Sequence, residues 1–549
     1  MEKSFNAYIE NSIRENWELA ALSDFKGVSY SYKDIARKIE KMHILMEAAG
    51  VKKGDKIAIC GRNSSHWAVA FFATLTYGAV VVPILHEFKP DNIHHIVNHS
   101  ESKLLFVGDI VYENIDKNRM PHLTGIILIN DFSVLHSKSS KLTNAREHLN
   151  QYFGDKYPER FRKEDVCYHK DEPEELALIN YTSGSTGFSK GVMLPYRSLW
   201  TNLKFCYENM TYLHAGDRVV SMLPMAHMYG LMVELCNCFA KGCHIHFLTR
   251  MPSPKIIMDA FAEVKPRVVI TVPLIIEKVI RGQVFPMLEK PLMQVLMKIP
   301  FVNTQLQQQI KAKLEEAFGG NMEEIIIGGA ALNHEIELFL HKIGFPYTIG
   351  YGMTECAPLI SYSPWQKARV GSCGKVIDRT EARIESADPL HIVGELHVKG
   401  DSVMLGYYKN QEATDAVLKE GWLNTGDLAI LDEDNYIYLK GRSKSMILGP
   451  SGQNIYPEEI EARINNPPYV NESIVIEQEG KLVALIYPDL ENAERQGLSK
   501  KIEEIMEENR ITVNKILPGY SQIAKIKLYY EEFEKTPKRS IKRYLYQNA

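Results

Sequence analysis

Cysteine is scarce. Eight residues are scattered through 549, at positions 60, 167, 206, 236, 238, 243, 356 and 373. That excludes a disulfide-built secreted scaffold and predicts a reduced, cytoplasmic setting. Charge of one sign is also missing. The 64 Lys and Arg oppose 68 Asp and Glu, leaving a formal net charge of −4. No global field favours a polyanion, so no nucleic-acid partner is expected. No apolar run reaches the ~20 residues of a membrane span. The longest, Ala68 to Leu85, is broken by Thr74, Thr76, Gly78 and Pro83. It divides better into a helix, Trp67 to Tyr77, and a buried strand, Ala79 to Ile84. Peripheral contact with a membrane stays open. The first sixteen residues lack the apolar core of a secretory leader, so none is expected. Disorder is excluded by 45% hydrophobic and 24% charged residues.

At about 100–200 residues per domain, this length predicts three or four compact units. Short β-rich runs alternate with helical patterns: KIAIC at 56–60, LLFVG at 104–108, GIILI at 125–129, RVVSML at 218–223, HIHFL at 244–248, RVVIT at 267–271 and EIIIGG at 324–329. Continuous apolar strands separated by helices predict parallel sheets covered on both faces. The polar stretch Ser133 to Leu149 reads as surface loop. Near residue 370 the pattern changes. GELHVKG (394–400), VMLGYY (403–408) and AILDEDNYIYLKGR (429–442) predict antiparallel strands and turns. Beyond Lys444 come a helix at 457–465, strands at 473–477 and 482–487, and a charged helix at 499–509. This tail is long enough to fold by itself.

The densest chemistry lies in YTSGSTGFSKGV, Tyr181 to Val192. Glycines 184, 187 and 191 let the backbone approach a ligand closely. Exposed backbone N–H groups in such a turn cradle anions. Thr182, Ser183, Ser185 and Thr186 add donors, and Lys190 adds a mobile charge. The pattern predicts a polyphosphate site. It is not a Walker A loop, because Ser189 precedes the lysine and Gly191 follows it. It is not a nucleophile elbow, because neither Ser183 nor Ser185 has glycine at both flanking positions.

Other segments are weaker alone. IGYGMTE, Ile349 to Glu355, offers an aromatic face for a purine and a carboxylate for Mg²⁺, or an ordinary turn. TGDLA, Thr425 to Ala429, offers Asp427 to ribose hydroxyls, or another turn. His227 in PMAHMYG reads first as a core histidine. Cys236, Cys238, Cys243, His244 and His246 fit no standard zinc spacing and read as buried groups. The basic tail, with Lys535, Lys538, Arg539, Lys542 and Arg543, suits solvent, a phosphate-rich ligand or an anionic lipid surface.

Taken in order, YTSGSTGFSKGV, PMAHMYG, GGAAL (328–332), GYGMTE, GELHVKG, GWLNTGDLA (421–429), GRSKSMI (441–447) and SGQNIYPEEIE (451–461) resemble the adenylate-forming superfamily. The match runs from about residue 27 to 545 and looks most like long-chain fatty acid–CoA ligases. The resemblance implies an α/β fold with a distorted β-barrel part. Residues 1–443 would be an N-terminal adenylation core of two α/β subdomains and the barrel, and 444–549 a small, mobile α+β lid hinged at Lys444. It implies AMP-forming ligase chemistry on a fatty acid, ATP and coenzyme A, with Mg²⁺, and it leaves room for a homodimer. By resemblance, Thr182, Ser183, Gly184, Ser185, Thr186, Gly187 and Lys190 hold phosphates. Gly329, Ala330, Tyr351 and Gly352 line the adenine side. Thr354 touches phosphate, and Glu355, with Thr186, holds the metal. Asp427 and Arg442 take the ribose, and His227 borders the carboxylate pocket. Gly449 and Gly452 let the CoA arm approach. Lys190, His227, Thr354 and Glu355 form the implied catalytic set. The tail departs from the family pattern: Ser540 stands where a lysine is usual, and Lys538 and Lys542 are the nearest substitutes. The alternatives are therefore an acyl-AMP ligase or acyl-carrier-protein ligase, and an adenylate-binding pseudoenzyme.

Overall fold

The computed structural model describes residues 3–182, 190–249, 253–288, 290–449, 453–535 and 541–547. Local chemistry sets the first elements. Ser31 caps the helix Tyr32–Ala48 by accepting from the Asp34 N–H, and Asp34 returns the bond to the Ser31 backbone. Ser64 caps Ser65–Tyr77, which ends where Gly78 takes a left-handed conformation (φ +84°). The strand Val80–Ile84 follows at once. The long apolar run is thus a buried helix and a buried strand, as its interruptions predict. Among the described residues, no helix is long and apolar enough to cross a membrane.

Two sheets organise most of the chain. One orders Gly406–Tyr407, Lys190–Pro195, Leu176–Thr182, Val80–Ile84, Lys56–Cys60, Leu104–Val107, Gly125–Leu128 and Val134–Ser137. The other orders Tyr347–Ile349, Glu324–Ile327, Val268–Thr271, Arg218–Ser221, His244–Phe247, Ala20–Asp24 and Ser29–Ser31. Their central strands pair in parallel and are mostly buried because helices cover both faces. Antiparallel strands Thr380–Glu385, Gly394–Gly400, Trp422–Leu431 and Ile437–Arg442 build the barrel-like part. The fold is therefore mixed α/β with a β-barrel portion.

Beyond it, Val470–Gln478, Lys481–Pro488 and Ile523–Leu528 form a further sheet. Side chains alternate across it. Val475, Leu482 and Ala484 pack with Ile460, Ile464 and Met506, while Ile474, Val483 and Leu485 pack with Phe533 on the other face. Neither cluster shares a buried residue with the cores of the two large sheets.

One expectation needs correction. Ser133 to Leu149 is not loop: it holds the strand Val134–Ser137 and the helix Ser140–Glu147. The strand lies at a sheet edge and the helix buries only Leu142 and Ala145, so its composition stays polar. VMLGYY does hold an antiparallel strand, as expected, and its partner lies far away in sequence. Gly406–Tyr407 pairs antiparallel with Lys190–Pro195 and closes one edge of the first sheet.

Candidate active site

The phosphate-loop segment is framed by two antiparallel strands. Leu176–Thr182 ends and Lys190–Pro195 begins with Thr182 directly opposite Lys190. Ser183, Gly184, Ser185, Thr186 and Gly187 lie outside the described residues. The Lys190 ammonium sits 4.9 Å from the centre of the Tyr407 ring, within cation–π range. The Tyr407 hydroxyl donates to Glu355 Oε1 at 2.9 Å. Burial, then the Glu355 charge, pushes the Tyr407 phenol above its usual range, so it remains a donor. Lys190, Tyr407 and Glu355 thus form one cation–ring–carboxylate stack. The Met404 N–H donates to the Glu355 carbonyl at 2.9 Å, which ties the 354–356 turn to the strand carrying Tyr407.

A second cluster starts three residues upstream of Thr354. The Tyr351 hydroxyl donates to Asp427 Oδ2 at 2.5 Å. Arg442 Nε meets Asp427 Oδ1 at 2.7 Å. The strands place them together, because Asp427 on Trp422–Leu431 is directly opposite Arg442 on Ile437–Arg442. Burial raises the Asp427 carboxyl, while Arg442 and the Tyr351 hydroxyl pull it back and Glu355 and Glu458 push it further up. The net direction is upward. Burial, then Asp427, holds Tyr351 well above the ordinary phenol range. Within the strand, the backbone before Asp427 is set by Gly426 (φ +70°) and by the Thr425 hydroxyl, which donates to the Leu396 carbonyl at 2.8 Å.

Gly352 has no substitute. A Cβ there would lie 2.1 Å from the Pro358 carbonyl oxygen. Gly329 takes φ +85°, and it and Ala330 are exposed at the carboxyl end of Glu324–Ile327. That rim is where open α/β sheets bind ligands. Beside it, the Tyr229 hydroxyl donates to the Ile326 carbonyl at 3.0 Å, and the Tyr229 N–H donates to His227 Nδ1 at 3.2 Å. His227 is half-buried, which goes beyond the core reading. Asn180 donates to the Ala226 carbonyl at 3.0 Å, joining the His227 loop to the phosphate-loop strand. Thr354 is buried in the turn with Glu355.

The loop before His227 has another anchor that its sequence did not announce. Glu234, in the π-helix Gly230–Asn237, is fully buried. It accepts from the Ser221 hydroxyl at 2.8 Å and from the Leu223 N–H at 3.2 Å. Burial pushes its carboxyl up to about 8, so it is neutral and able to donate at physiological pH. Cys236, Cys238 and Cys243 are buried free thiols.

At the junction with the tail, Lys444 is exposed in the turn Ser443–Ser445, and the Gly449 N–H donates to the Gln453 carbonyl at 2.8 Å. Gly452, Lys538 and Ser540 lie outside the described residues. Lys542 does not reach toward the Glu355 cluster. Its ammonium pairs with Glu534. Tyr407 is the member of the site that motif reading missed. Its only signal was a tyrosine pair after an apolar run.

A cavity of about 850 Å³ opens elsewhere on the same side, at the carboxyl ends of Lys56–Cys60, Leu104–Val107 and His244–Phe247. None of the motif residues lines it. It adjoins them through Asn63, which donates to the Leu223 carbonyl at 2.6 Å and accepts from the Met225 N–H at 3.0 Å. The side-chain chemistry, rather than the volume, marks the site.

Comparison with known proteins gives the same direction. The family described as AMP-binding enzyme matches residues 9–408. A long-chain-fatty-acid–CoA ligase of Escherichia coli O6:H1 is 30% identical over 454 residues, 78% of this chain and 74% of that protein. Among solved structures, ATP-bound MatB from Rhodopseudomonas palustris superposes with a TM-score of 0.77 at 21% identity, over 100% of this chain and 99% of its own. The anthranilate CoA ligase AuaEII, solved with anthranoyl-AMP, gives 0.77 at 18% identity, over 99% and 96%. At those identities the two structures speak for the fold.

Proposed function

The chain belongs to the AMP-binding enzyme family of adenylate-forming acyl-CoA ligases, and on that premise we propose that it activates a long-chain fatty acid for thioester formation. In the first step a carboxylate oxygen attacks the α-phosphorus of ATP. A carboxyl–phosphorus bond forms, the bridging bond breaks, and pyrophosphate leaves. In the second, the thiol sulfur of coenzyme A attacks the acyl carbon, its proton is lost to solvent or base, and AMP departs with the former carbon–oxygen electron pair.

The observation that carries this reading is the convergence of motifs scattered from 182 to 442 into two adjoining clusters, Lys190–Tyr407–Glu355 and Tyr351–Asp427–Arg442. Lys190 supplies a cation beside the phosphate-loop segment. The Asp427 carboxylate offers acceptors to the two ribose hydroxyls, and the Tyr351 ring an apolar face to adenine. His227, braced by Tyr229, faces the fatty acid's carboxylate. Magnesium fits this donor set. Magnesium is held mainly by substrate phosphates and water with one or two carboxylates, and Glu355 is a carboxylate linked through Tyr407 to Lys190 at the phosphate-loop segment. Glu355 would be that carboxylate, with the Thr186 hydroxyl as the second expected donor, and the ion would neutralise charge on the departing pyrophosphate. Residues 444–549 would act as the moving lid, pivoting at Lys444, with Gly449 and Gly452 clearing the CoA arm. A fatty-acid substrate rests on the relative from Escherichia coli, which is named for that activity.

The test is ATP–pyrophosphate exchange with acids from C2 to C20, followed by product analysis with coenzyme A. Exchange favouring long chains and acyl-CoA as product are expected. Exchange without acyl-CoA would move the acceptor to a carrier protein. The absence of exchange with every acid, together with retained nucleotide binding, would leave an adenylate-binding pseudoenzyme, the outcome that Ser540 makes worth checking.

A further inference from the structure

The connection between Val268–Thr271 and Glu324–Ile327 carries an unusual surface. Within ten residues, Leu292 is 70% exposed, Val295 59%, Ile299 46% and Phe301 73%. Single exposed apolar side chains need no explanation, but a cluster marks an interaction surface. Leu292 and Val295 lie three apart on the helix Pro291–Leu296, and Ile299 and Phe301 follow at the start of the next helix. The helix Pro291–Leu296 buries no residue, and the longer helix Pro300–Ala317 buries only Ile310 and Leu314.

Charge along this segment leans positive. From Glu277 to Glu315 the sequence has six cations (Lys278, Arg281, Lys290, Lys298, Lys311 and Lys313) against three acids (Glu277, Glu289 and Glu315), although the whole chain is net negative. Lys290 and Lys298, which flank the apolar residues, are exposed. A second copy docking face to face would set cations against cations. An anionic bilayer satisfies both features: its headgroups meet the lysines, and its acyl boundary takes the apolar side chains.

We propose that the segment from Lys290 to Phe301 docks this protein on an anionic lipid surface. Its placement is purposeful in chemical terms. Both flanking strands end beside Tyr229, whose hydroxyl lies 3.0 Å from the Ile326 carbonyl and 3.4 Å from that of Thr271. The connection that carries the docking residues thus begins, at Thr271, beside the His227 loop. Docking needs no catalysis, so it stands or falls separately from the ligase reading.

Flotation with vesicles of phosphatidylcholine and phosphatidylglycerol, or of phosphatidylcholine alone, tests it on the full-length protein without ATP or acid. The wild type is expected to float with anionic vesicles only. Lys290→Gln with Lys298→Gln should weaken partitioning roughly 25-fold, about fivefold per lysine. Leu292→Gln with Phe301→Gln should weaken it at least tenfold, with an unchanged thermal midpoint because both side chains are exposed. Wild type that stays with neither vesicle, binding indifferent to lipid charge, or both double variants floating like wild type would each overturn the proposal. So would a concentration-dependent dimer in sedimentation that Leu292→Gln/Phe301→Gln abolishes, since the cluster would then belong to a second copy.

Discussion

Asp427 is gripped by a phenol on one oxygen and a guanidinium on the other, so its removal has two distinct effects. Asp427→Ala leaves the buried Tyr351 hydroxyl without its acceptor and withdraws both bonds offered to ribose. Pyrophosphate exchange should fall at least about 100-fold, mostly through ATP affinity, because hydrogen bonds to a charged group contribute ~1.5–3 kcal/mol each. A titration calorimetry value for ATP within a factor of three of wild type would remove Asp427 from the nucleotide site. Gly352→Ala addresses backbone rather than charge. Its Cβ would meet the Pro358 carbonyl oxygen at 2.1 Å, and the backbone must shift, at a cost of about 1–3 kcal/mol or more. A melting midpoint equal to wild type would show that the turn relaxes freely. At this scale the sequence was readable wherever a motif is contiguous: Tyr351, Glu355 and Asp427 stand out in GYGMTE and TGDLA. Tyr407 was not, because what gives it meaning is the pairing of Gly406–Tyr407 with Lys190–Pro195, more than two hundred residues apart. No local pattern reports such a partner.

Among the elements, the π-helix Gly230–Asn237 makes a pH-dependent demand. Glu234 ionises near 4.5 in the unfolded chain and near 8 in the folded one. Between those values the folded protein holds a proton that the unfolded chain has lost. Stability therefore falls as pH rises from about 4.5 to about 8, by up to a few kcal/mol. Glu234→Gln removes that proton, and its melting midpoint should decline less between pH 5 and 8 than that of the wild type. Parallel curves for the two proteins would refute the account. Elements themselves were largely legible, since buried parallel strands are continuous apolar runs: KIAIC and LLFVG appear as Lys56–Cys60 and Leu104–Val107. The π-helix was not, because its residues are buried on every side and show no period. Nor was Val134–Ser137, whose half-buried side chains lack the apolar signature of a central strand.

In the whole molecule, the last hundred residues keep their own cores and touch the rest through polar contacts. Arg281 donates to Asn466 Oδ1 at 3.1 Å, and Lys440 pairs with Glu459 at 3.5 Å. Such contacts are worth little individually. Leu485→Ala, in the face packed on Phe533, should lose about 2–5 kcal/mol from that unit alone. Calorimetry should then resolve an early transition for residues beyond 446, with the main transition unmoved. A single shifted transition would mean that the two parts unfold as one. The change of pattern near residue 370 and the tail's length suggested this organisation. The contacts between the parts could not be read, since Asn466 and Arg281 belong to no motif.

Arg442 closes the strand Ile437–Arg442, and Lys444 lies in the very next turn. The guanidinium proposed to help hold a sugar and the joint proposed to swing the tail thus share one short ribbon of backbone, anchored at Asp427. Thermodynamic reciprocity then applies: whatever factor a nucleotide adds to the preference for one tail posture, that posture must return to the nucleotide's affinity. A nucleotide held more tightly in one posture of the tail would draw the tail toward that posture by the same factor, and the lever for it would be the short step of backbone from Arg442 to Lys444 rather than any separate sensor.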